Sequence, residues 1–553
     1  MSKNLIAIFM IALVGLNGCA KKDDTTTNVP PNTEAPLPST GIPSSLVYTE
    51  SEVVLVPGAA YSYSPSYFGS ASSFSIAPIT LPNGMTFSTS TGVISGTPTV
   101  NTSSVTYTVK AFGSGGSDTT TIKITVSDVP ISSSPKPTLL RTSLKIGDGA
   151  IDGKFSTVIS SKFIWGNNVL GGQIWSSTGT TDSTNVLFQF DGPGSYSPQN
   201  FIHLSAAVVL FSAESATGGV ELWKTDGTTS GTVQVKDINP GVLNSNPSDF
   251  VFSSPYVYFL ADNGASRQLF RTDGTTSGTF QIGNFDVSTP HLMTAHENKL
   301  FFTASSSAMA GIGSELFFTT GINNTATYVS DLALNADSNP RNLVSFGNYI
   351  YFSADASQGI GEELYRTNIT TTELVADILP GANSSSIENM FSFGNLLLFS
   401  VFTGPEGREL WKTNGSTTQM IADLNPGYQS SNPSNFIRFN NQSYFVANNT
   451  TRGREIFKTN GIDITSVTDI YEGSFNSNPS HMMVFGSYLY FTATNFNYGN
   501  ELYRINTADA LELVEDLTPG YSTTFDQFNI INNYMFFFKV TGSGVGDLYK
   551  VGY

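Results

Sequence analysis

The sequence predicts an all-β protein, a small β-sandwich followed by a large β-propeller of nine sequence units that closes with eight or nine blades. Three observations carry this. A Glu-Leu-aromatic tripeptide, with conservative variants, recurs nine times at a period of 46–48 residues between positions 173 and 549. Each period reads as four short strands separated by turn residues, the pattern of a propeller blade. Ahead of the repeats, short runs rich in β-branched residues alternate apolar and polar side chains.

Composition agrees. Of 553 residues only 12% are charged, 12% are aromatic and 51 are glycine, against about 25% charged in an ordinary soluble domain. Helical bundles need Lys and Glu on their exposed faces, so they are excluded. The net charge of −17 repels phosphate backbones and argues against nucleic acid as a partner. One Cys and four His leave no disulfide framework or thiolate cluster and little for a histidine-built metal site.

The first element is the N-terminus. Met-Ser-Lys precedes an apolar run from Leu5 to Leu16, then Asn17-Gly18-Cys19. A short basic segment, an apolar core and small residues before a cut site describe a signal peptide over 1–18. The run is shorter than the roughly 20 residues needed to span a bilayer. Leu16-Asn17-Gly18-Cys19 resembles the lipobox of bacterial lipoproteins, which implies that Cys19 is lipidated and becomes the mature N-terminus. Residues 19–45, rich in Thr, Pro, Asn and Ser, read as a flexible tether. Lys22-Asp23-Asp24 resembles surface-export signals of some Gram-negative lipoproteins.

The second element, 46–129, contains Val53–Val56, Met85–Phe87, Val105–Val109 and Ile122–Val126 as strands. Leu81-Pro82-Asn83-Gly84-Met85-Thr86-Phe87 and Thr91-Gly92-Val93-Ile94-Ser95-Gly96-Thr97-Pro98 resemble the Ig-like (cadherin-like) modules of bacterial surface proteins. The resemblance implies an Ig-like sandwich acting as a spacer. The acidic clusters that would hold calcium between domains are absent from its sequence.

A linker, 130–138, leads to the propeller, 139–553. Gln173-Ile174-Trp175, Glu221-Leu222-Trp223, Gln268-Leu269-Phe270 and Glu315-Leu316-Phe317 open the series, which ends at Asp547-Leu548-Tyr549. The last unit stops before its fourth strand, while Leu139–Ile146 is a spare strand-like segment. Pairing the two would remove an open sheet edge. Glu221-Leu222-Trp223-Lys224-Thr225-Asp226-Gly227-Thr228 resembles the ELW-x-x-DGT repeat of bacterial extracellular proteins, a likeness that implies a propeller-like surface protein and no particular chemistry.

Two polar series run through the repeats. The motif's first position is acidic at 221, 315, 363, 409, 455, 501 and 547, and three residues on stand Lys224, Arg271, Arg366, Lys412, Lys458, Arg504 and Lys550. Positions i and i+3 of a strand point to opposite faces, so each is expected to reach a neighbouring strand or blade as a ring of inter-blade ion pairs. Asp237, Asp331, Asp377, Asp423, Asp469 and Asp516, most of them ahead of a Gly- or Pro-Gly-containing turn, are expected to cap backbone N–H groups. Loops such as Asn244-Ser245-Asn246 and Asn476-Ser477-Asn478 are expected to gather on one face of the disc.

No nucleophile elbow, His-Glu-x-x-His motif or phosphate-binding glycine loop occurs. The sequence therefore assigns no catalytic residue, no metal ligand and no cofactor, and leaves the ligand-binding residues unknown. Its one assigned site residue is Cys19. The expected protein is a monomeric propeller, exported and lipid-anchored to the bacterial envelope, outer membrane and cell surface, where it acts in adhesion or in binding protein or polysaccharide. The alternative is a carbohydrate-active hydrolase or lyase with a propeller cleft.

Overall fold

A computed structural model describes residues 43–552, less 127–135, 146–154 and a set of shorter stretches. Cys19 and the tether up to residue 42 lie outside the described residues, while Ser44–Tyr48 is already a strand. The chain is all-β and divides into two units, 1–132 and 133–553.

The first unit is a sandwich. Glu52–Leu55, Gly116–Val126, Thr102–Gly113 and Ser73–Ala77 form one sheet. Tyr61–Tyr63, Ile94–Gly96 and Met85–Phe87 form a second, and Leu55, Phe74, Ile94, Val109, Ile122 and Ile124 are buried in the core. The two glycines of the quoted motifs explain themselves here. Met85 pairs with Gly96, and a Cβ on Gly96 would stand 2.1 Å from the Gly84 carbonyl oxygen. Gly84 in turn has a φ of +89°, which an L side chain rarely adopts.

Among its described residues the second unit contains nine four-stranded antiparallel sheets. Eight are consecutive meanders over 156–189, 199–236, 248–281, 291–330, 341–376, 388–422, 434–466 and 480–515; we number them blades 1 to 8. The ninth takes three strands from 524–552 and its outermost from Thr138–Lys145. First strands of successive blades lie side by side around the ring, and blade 9 meets blade 1 in the same way. Nine sequence units thus make nine blades.

Each blade's second strand is packed on both faces by its neighbours. Val257, Tyr258, Phe259 and Ala261 are all fully buried, which is why these strands read as continuous apolar runs instead of alternating ones. The first strands of blades 2 to 9 carry a bulge, seen as a break in register between Ser248 and Val251 and between Arg341 and Val344. One residue per bulge has positive φ: Asn200, Asp249, Leu292, Asn342, Asn389, Asn435, His481 and Gln527. Asn tolerates that conformation best among residues with a side chain. Its amide has a second use, since Asn342 Nδ2 donates to the Ile387 carbonyl at 2.7 Å and Asn389 Nδ2 to the Pro433 carbonyl at 3.1 Å, each just ahead of the next blade's first strand.

Closure joins chain segments some 400 residues apart. Leu139 pairs with Tyr549, Arg141 with Leu548 and Lys145 with Val545, and Asp547 Oδ1 accepts from Ser143 N at 2.9 Å. Leu140 and Leu144 enter one apolar cluster with Phe536, Phe538 and Leu548 of blade 9 and Phe163 and Trp165 of blade 1. Truncating a buried Leu removes its transfer free energy and leaves a cavity, so Leu144→Ala should lower stability by about 2–5 kcal/mol. Leu139→Ala, at a half-exposed position on the same strand, should stay within about 0.5 kcal/mol of wild type. Urea unfolding of the two variants checks this contrast.

Candidate functional site: the crossover-loop face

In a four-stranded meander, the loop between second and third strands and the crossover to the next blade leave by the same edge. Both sets therefore gather on one face of the ring. The residues that hold the crossovers are the acidic motif positions.

Glu221 is fully buried at the head of its blade's third strand. Its Oε2 accepts from Ile238 N at 2.7 Å and from Ser245 Oγ at 2.6 Å, and its Oε1 from Ser245 N at 2.9 Å. Ile238 and Ser245 lie at the two ends of the crossover to blade 3. Glu409 repeats this with Leu424 N at 2.9 Å, Ser431 N at 2.8 Å and Ser431 Oγ at 2.6 Å. Glu501 uses Leu517 N at 3.0 Å and Thr523 Oγ1 at 2.6 Å. Glu315 and Glu455 are latched in the same manner, whereas Glu363 takes Ile378 N at 2.7 Å and, among the described residues, leaves its Oε1 without a hydrogen-bond partner. The expected ring of ion pairs is thus corrected. These carboxylates bind loop N–H and hydroxyl groups of their own blade's exit, because a buried charge is held best by several short donors.

The basic partners go elsewhere. Lys224 Nζ donates to the Gly274 carbonyl of the next blade at 2.9 Å, Arg366 to Gly415 at 3.0 Å, Lys412 to Gly461 at 2.6 Å and Lys550 to Gly179 at 2.6 Å. They do cross between blades, but to a turn carbonyl. Lys458 alone among these five crosses to a carboxylate, that of Asp509.

Blade 3 tests the latch from within. Gln268 replaces the glutamate, and there its amide donates to the Phe285 carbonyl at 2.9 Å while its oxygen accepts from Phe285 N at 3.0 Å. The loop offers one acceptor and one donor where the glutamate loops offer donors only.

The second acidic series caps turns. Asp237, Asp423 and Asp469 accept from Gly241, Gly427 and Gly473 N at 3.2, 3.3 and 3.1 Å. Loop amides and hydroxyls are spent likewise, with Asn244 Oδ1 accepting from Val220 N, Ser430 Oγ from Arg408 N and Asn476 Oδ1 from Arg454 N. Among the described residues no three His, Cys, Asp or Glu side chains gather where they could hold a metal ion.

Beside exposed polar residues such as Gln429 and Glu472, the crossovers expose large apolar side chains. Val242 (73% exposed), Leu334 (78%), Tyr428 (80%), Phe475 (59%) and Tyr521 (76%) stand on five of them, and Phe496 (79%) on the adjoining hairpin of blade 8. Tyr471 and Phe475 stack with ring centroids 4.9 Å apart, and Phe496 lies 6.3 Å from Tyr471. In the sequence these loops stand out by their amides, with aromatics nearby; in the structure it is the apolar side chains that are exposed. The signal was present as a large apolar residue one or two places after the turn glycine, as in Gly241-Val242-Leu243, Gly427-Tyr428 and Gly473-Ser474-Phe475.

The protein is therefore an Ig-like module followed by a nine-bladed propeller with an aromatic-studded loop face. The family model described as "Putative Ig domain" matches residues 24–127. No curated protein matches the chain. Among solved structures, a puromycin hydrolase is 11% identical, with 66% of this chain and 62% of that chain covered at a TM-score of 0.33. The uncharacterized protein lmo1340 from Listeria monocytogenes EGD-e is 11% identical, with 57% of this chain and 94% of that chain covered at 0.32. The match spans about three fifths of the length of the hydrolase. Likenesses this distant carry nothing about activity.

Burial and hydrogen bonding act oppositely on the latch. Loss of hydration favours the protonated acid and the donors favour the carboxylate; burial prevails, aided by the nearby Asp237 or Asp377 charge, and pushes Glu221 and Glu363 up to about 7. An acid raised in the folded state stabilises most fully below its ordinary value of 4.5 and loses that contribution as pH rises through about 7. Buried His296, lowered by burial, acts in the opposite sense. The informative quantity is therefore the difference from Glu221→Gln. That variant points an amide at Ile238 N–H and should cost about 1–3 kcal/mol, with the gap between wild type and variant narrowing from pH 5 to pH 8 in urea unfolding.

Proposed function

We propose that the protein is a cell-envelope lipoprotein whose propeller is a binding and adhesion scaffold, presenting its crossover-loop face to an extracellular polysaccharide or protein. The observation that carries this is the row of exposed aromatic and aliphatic side chains on successive crossovers. Large apolar side chains exposed together on one face cost solubility and mark surfaces that meet a partner. The latches beneath them fix the loops in advance, so little ordering entropy is lost on binding. Loops held on a rigid frame are where binding residues concentrate.

The anchor belongs to the same reading. Acyl chains on Cys19 contribute about 0.8 kcal/mol per buried methylene, and the tether and Ig-like module separate the propeller from the membrane. Cys19→Ala should move the protein from the membrane fraction to the soluble one on centrifugation. Retention in the membrane fraction would count against lipidation.

Replacing Tyr428, Phe475, Phe496 and Tyr521 together by Ala should abolish binding of the wild-type ligand found on a glycan array or in a cross-linking capture, with an unchanged melting curve. Turnover of an array glycan by the wild-type protein would instead favour a hydrolase or lyase.

A further inference from the structure

Three blades share one ladder of side chains, and in one of them a member is missing. In blade 5, Tyr351, Arg366 and Glu373 are cross-strand neighbours on the second, third and fourth strands. Arg366 Nε donates to Glu373 Oε1 at 2.7 Å, its Nη2 lies 2.6 Å from the same oxygen, and Nη1 donates to Tyr351 Oη at 3.1 Å. In blade 8, Tyr490, Arg504 and Glu512 repeat it, with Nε at 2.9 Å and Nη2 at 2.7 Å from Glu512 Oε2 and Nη1 donating to Tyr490 Oη at 3.2 Å. A second tyrosine, Tyr349 or Tyr488, lies against each guanidinium at 4.5 or 4.0 Å.

Blade 3 has the same two tyrosines and the same arginine, Tyr256, Tyr258 and Arg271, but the residue paired with Arg271 on the fourth strand is Phe280. The guanidinium carbon stands 3.7 Å from the Tyr256 ring centroid and 4.1 Å from that of Phe280. Such contacts favour the charge but accept no N–H. Arg271 Nε and Nη1 are buried and, among the described residues, have no hydrogen-bond partner; Tyr258 Oη has none either. These are the atoms that the carboxylate and the ladder geometry satisfy in blades 5 and 8. The nearest acid in sequence, Asp273, spends its Oδ1 on Thr275 N and Oγ1.

A cavity of about 380 Å³ borders this place, lined by Ser254, Pro255, Tyr256, Glu297, Lys299 and Thr320 of blades 3 and 4. Tyr256 is shared by the cavity and the guanidinium. Gly321, next to Thr320, sits over Tyr258 Oη and the Arg271 Cδ, where a Cβ would stand 2.4 and 3.1 Å from them. The volume is that of a small-ligand site, lined by hydroxyl groups, the Asn298 amide and the Lys299 ammonium, which stands 3.7 Å from the Glu297 carboxylate at the same rim. It opens on the face opposite the crossover loops.

We propose that Arg271 and Tyr258 bind the carboxylate of a small ligand that reaches them from this cavity and supplies the acceptor that Glu373 and Glu512 supply in the sister blades. A guanidinium presents paired N–H groups matched to two carboxylate oxygens, and a buried donor left unmade is costly, so an incoming carboxylate gains what the chain itself supplies twice elsewhere. The site is separate from the crossover-loop face and does not depend on its role.

The test uses the full-length protein in detergent, titrated with sodium acetate and sodium D-glucuronate and, as controls, glucose and sodium chloride at matched ionic strength. A saturable rise in melting temperature with either carboxylate and none with the controls is expected. A response to acetate as large as to glucuronate identifies a bare carboxylate as sufficient, and a larger one to glucuronate identifies a sugar acid. Phe280→Glu supplies the missing carboxylate from within, and should lose the response while melting no lower than wild type. Arg271→Gln should lose it as well, and serves if the first variant does not fold. No saturable response to either carboxylate, or a response retained in a folded Phe280→Glu or Arg271→Gln protein, overturns the proposal.

Discussion

A buried glutamate at the head of the third strand, present in blades 2 and 4 to 8, is the interaction on which the loop face depends. Glu221 and Glu409 each gather three donors from a loop that leaves the blade and returns as the first strand of the next. The crossovers bury little apolar surface beyond Ile238 in one and Ile470 in another, and a loop with so few buried contacts opens easily. The carboxylate adds to that small core contact, its own desolvation offset in part by the donors it collects. The turn-capping aspartates then fix the bend between the two contact points. With these polar groups spent inward, the exposed aromatics are among the side chains left for solvent.

The latch would be useless on a mobile frame. Second strands buried on both faces lock adjacent blades, the inner-strand amides of Asn342 and Asn389 reach the neighbouring blade near the axis, and Lys224, Lys412 and Lys550 reach it farther out. The strand Thr138–Lys145 makes blade 9 four-stranded like the rest, so no blade presents a bare third strand at its rim.

Much of this frame was legible in the sequence. The period gave the blades, the truncated last unit and the spare Leu139–Ile146 segment gave the closure, and Asp before a glycine turn gave the caps. The glutamate's role was not legible because its partners are mainly backbone N–H groups about 15–24 residues away, which leave no mark beyond a Ser or Thr at the loop's end. Acid and base three residues apart suggested pairing by charge alone, whereas burial decided otherwise for the acid and a turn carbonyl captured the base. The positive-φ bulge was hidden too, since Asn in Asn-Pro-Ser-Asn reads as loop when its backbone belongs to a strand. Phe280 in place of a glutamate gave no signal until the three arginine ladders could be laid side by side.

Buried carboxylates hold the crossover loops as firmly as the ladders hold the strands. Amide hydrogen exchange read at Ile238, Ser245, Leu424 and Ser431 tests this most directly. Protection of these loop amides approaching that of Phe259 and Phe445, in the middle strands, is the predicted result. Exchange at the rate of exposed loop positions such as Val242 and Tyr428 would contradict it.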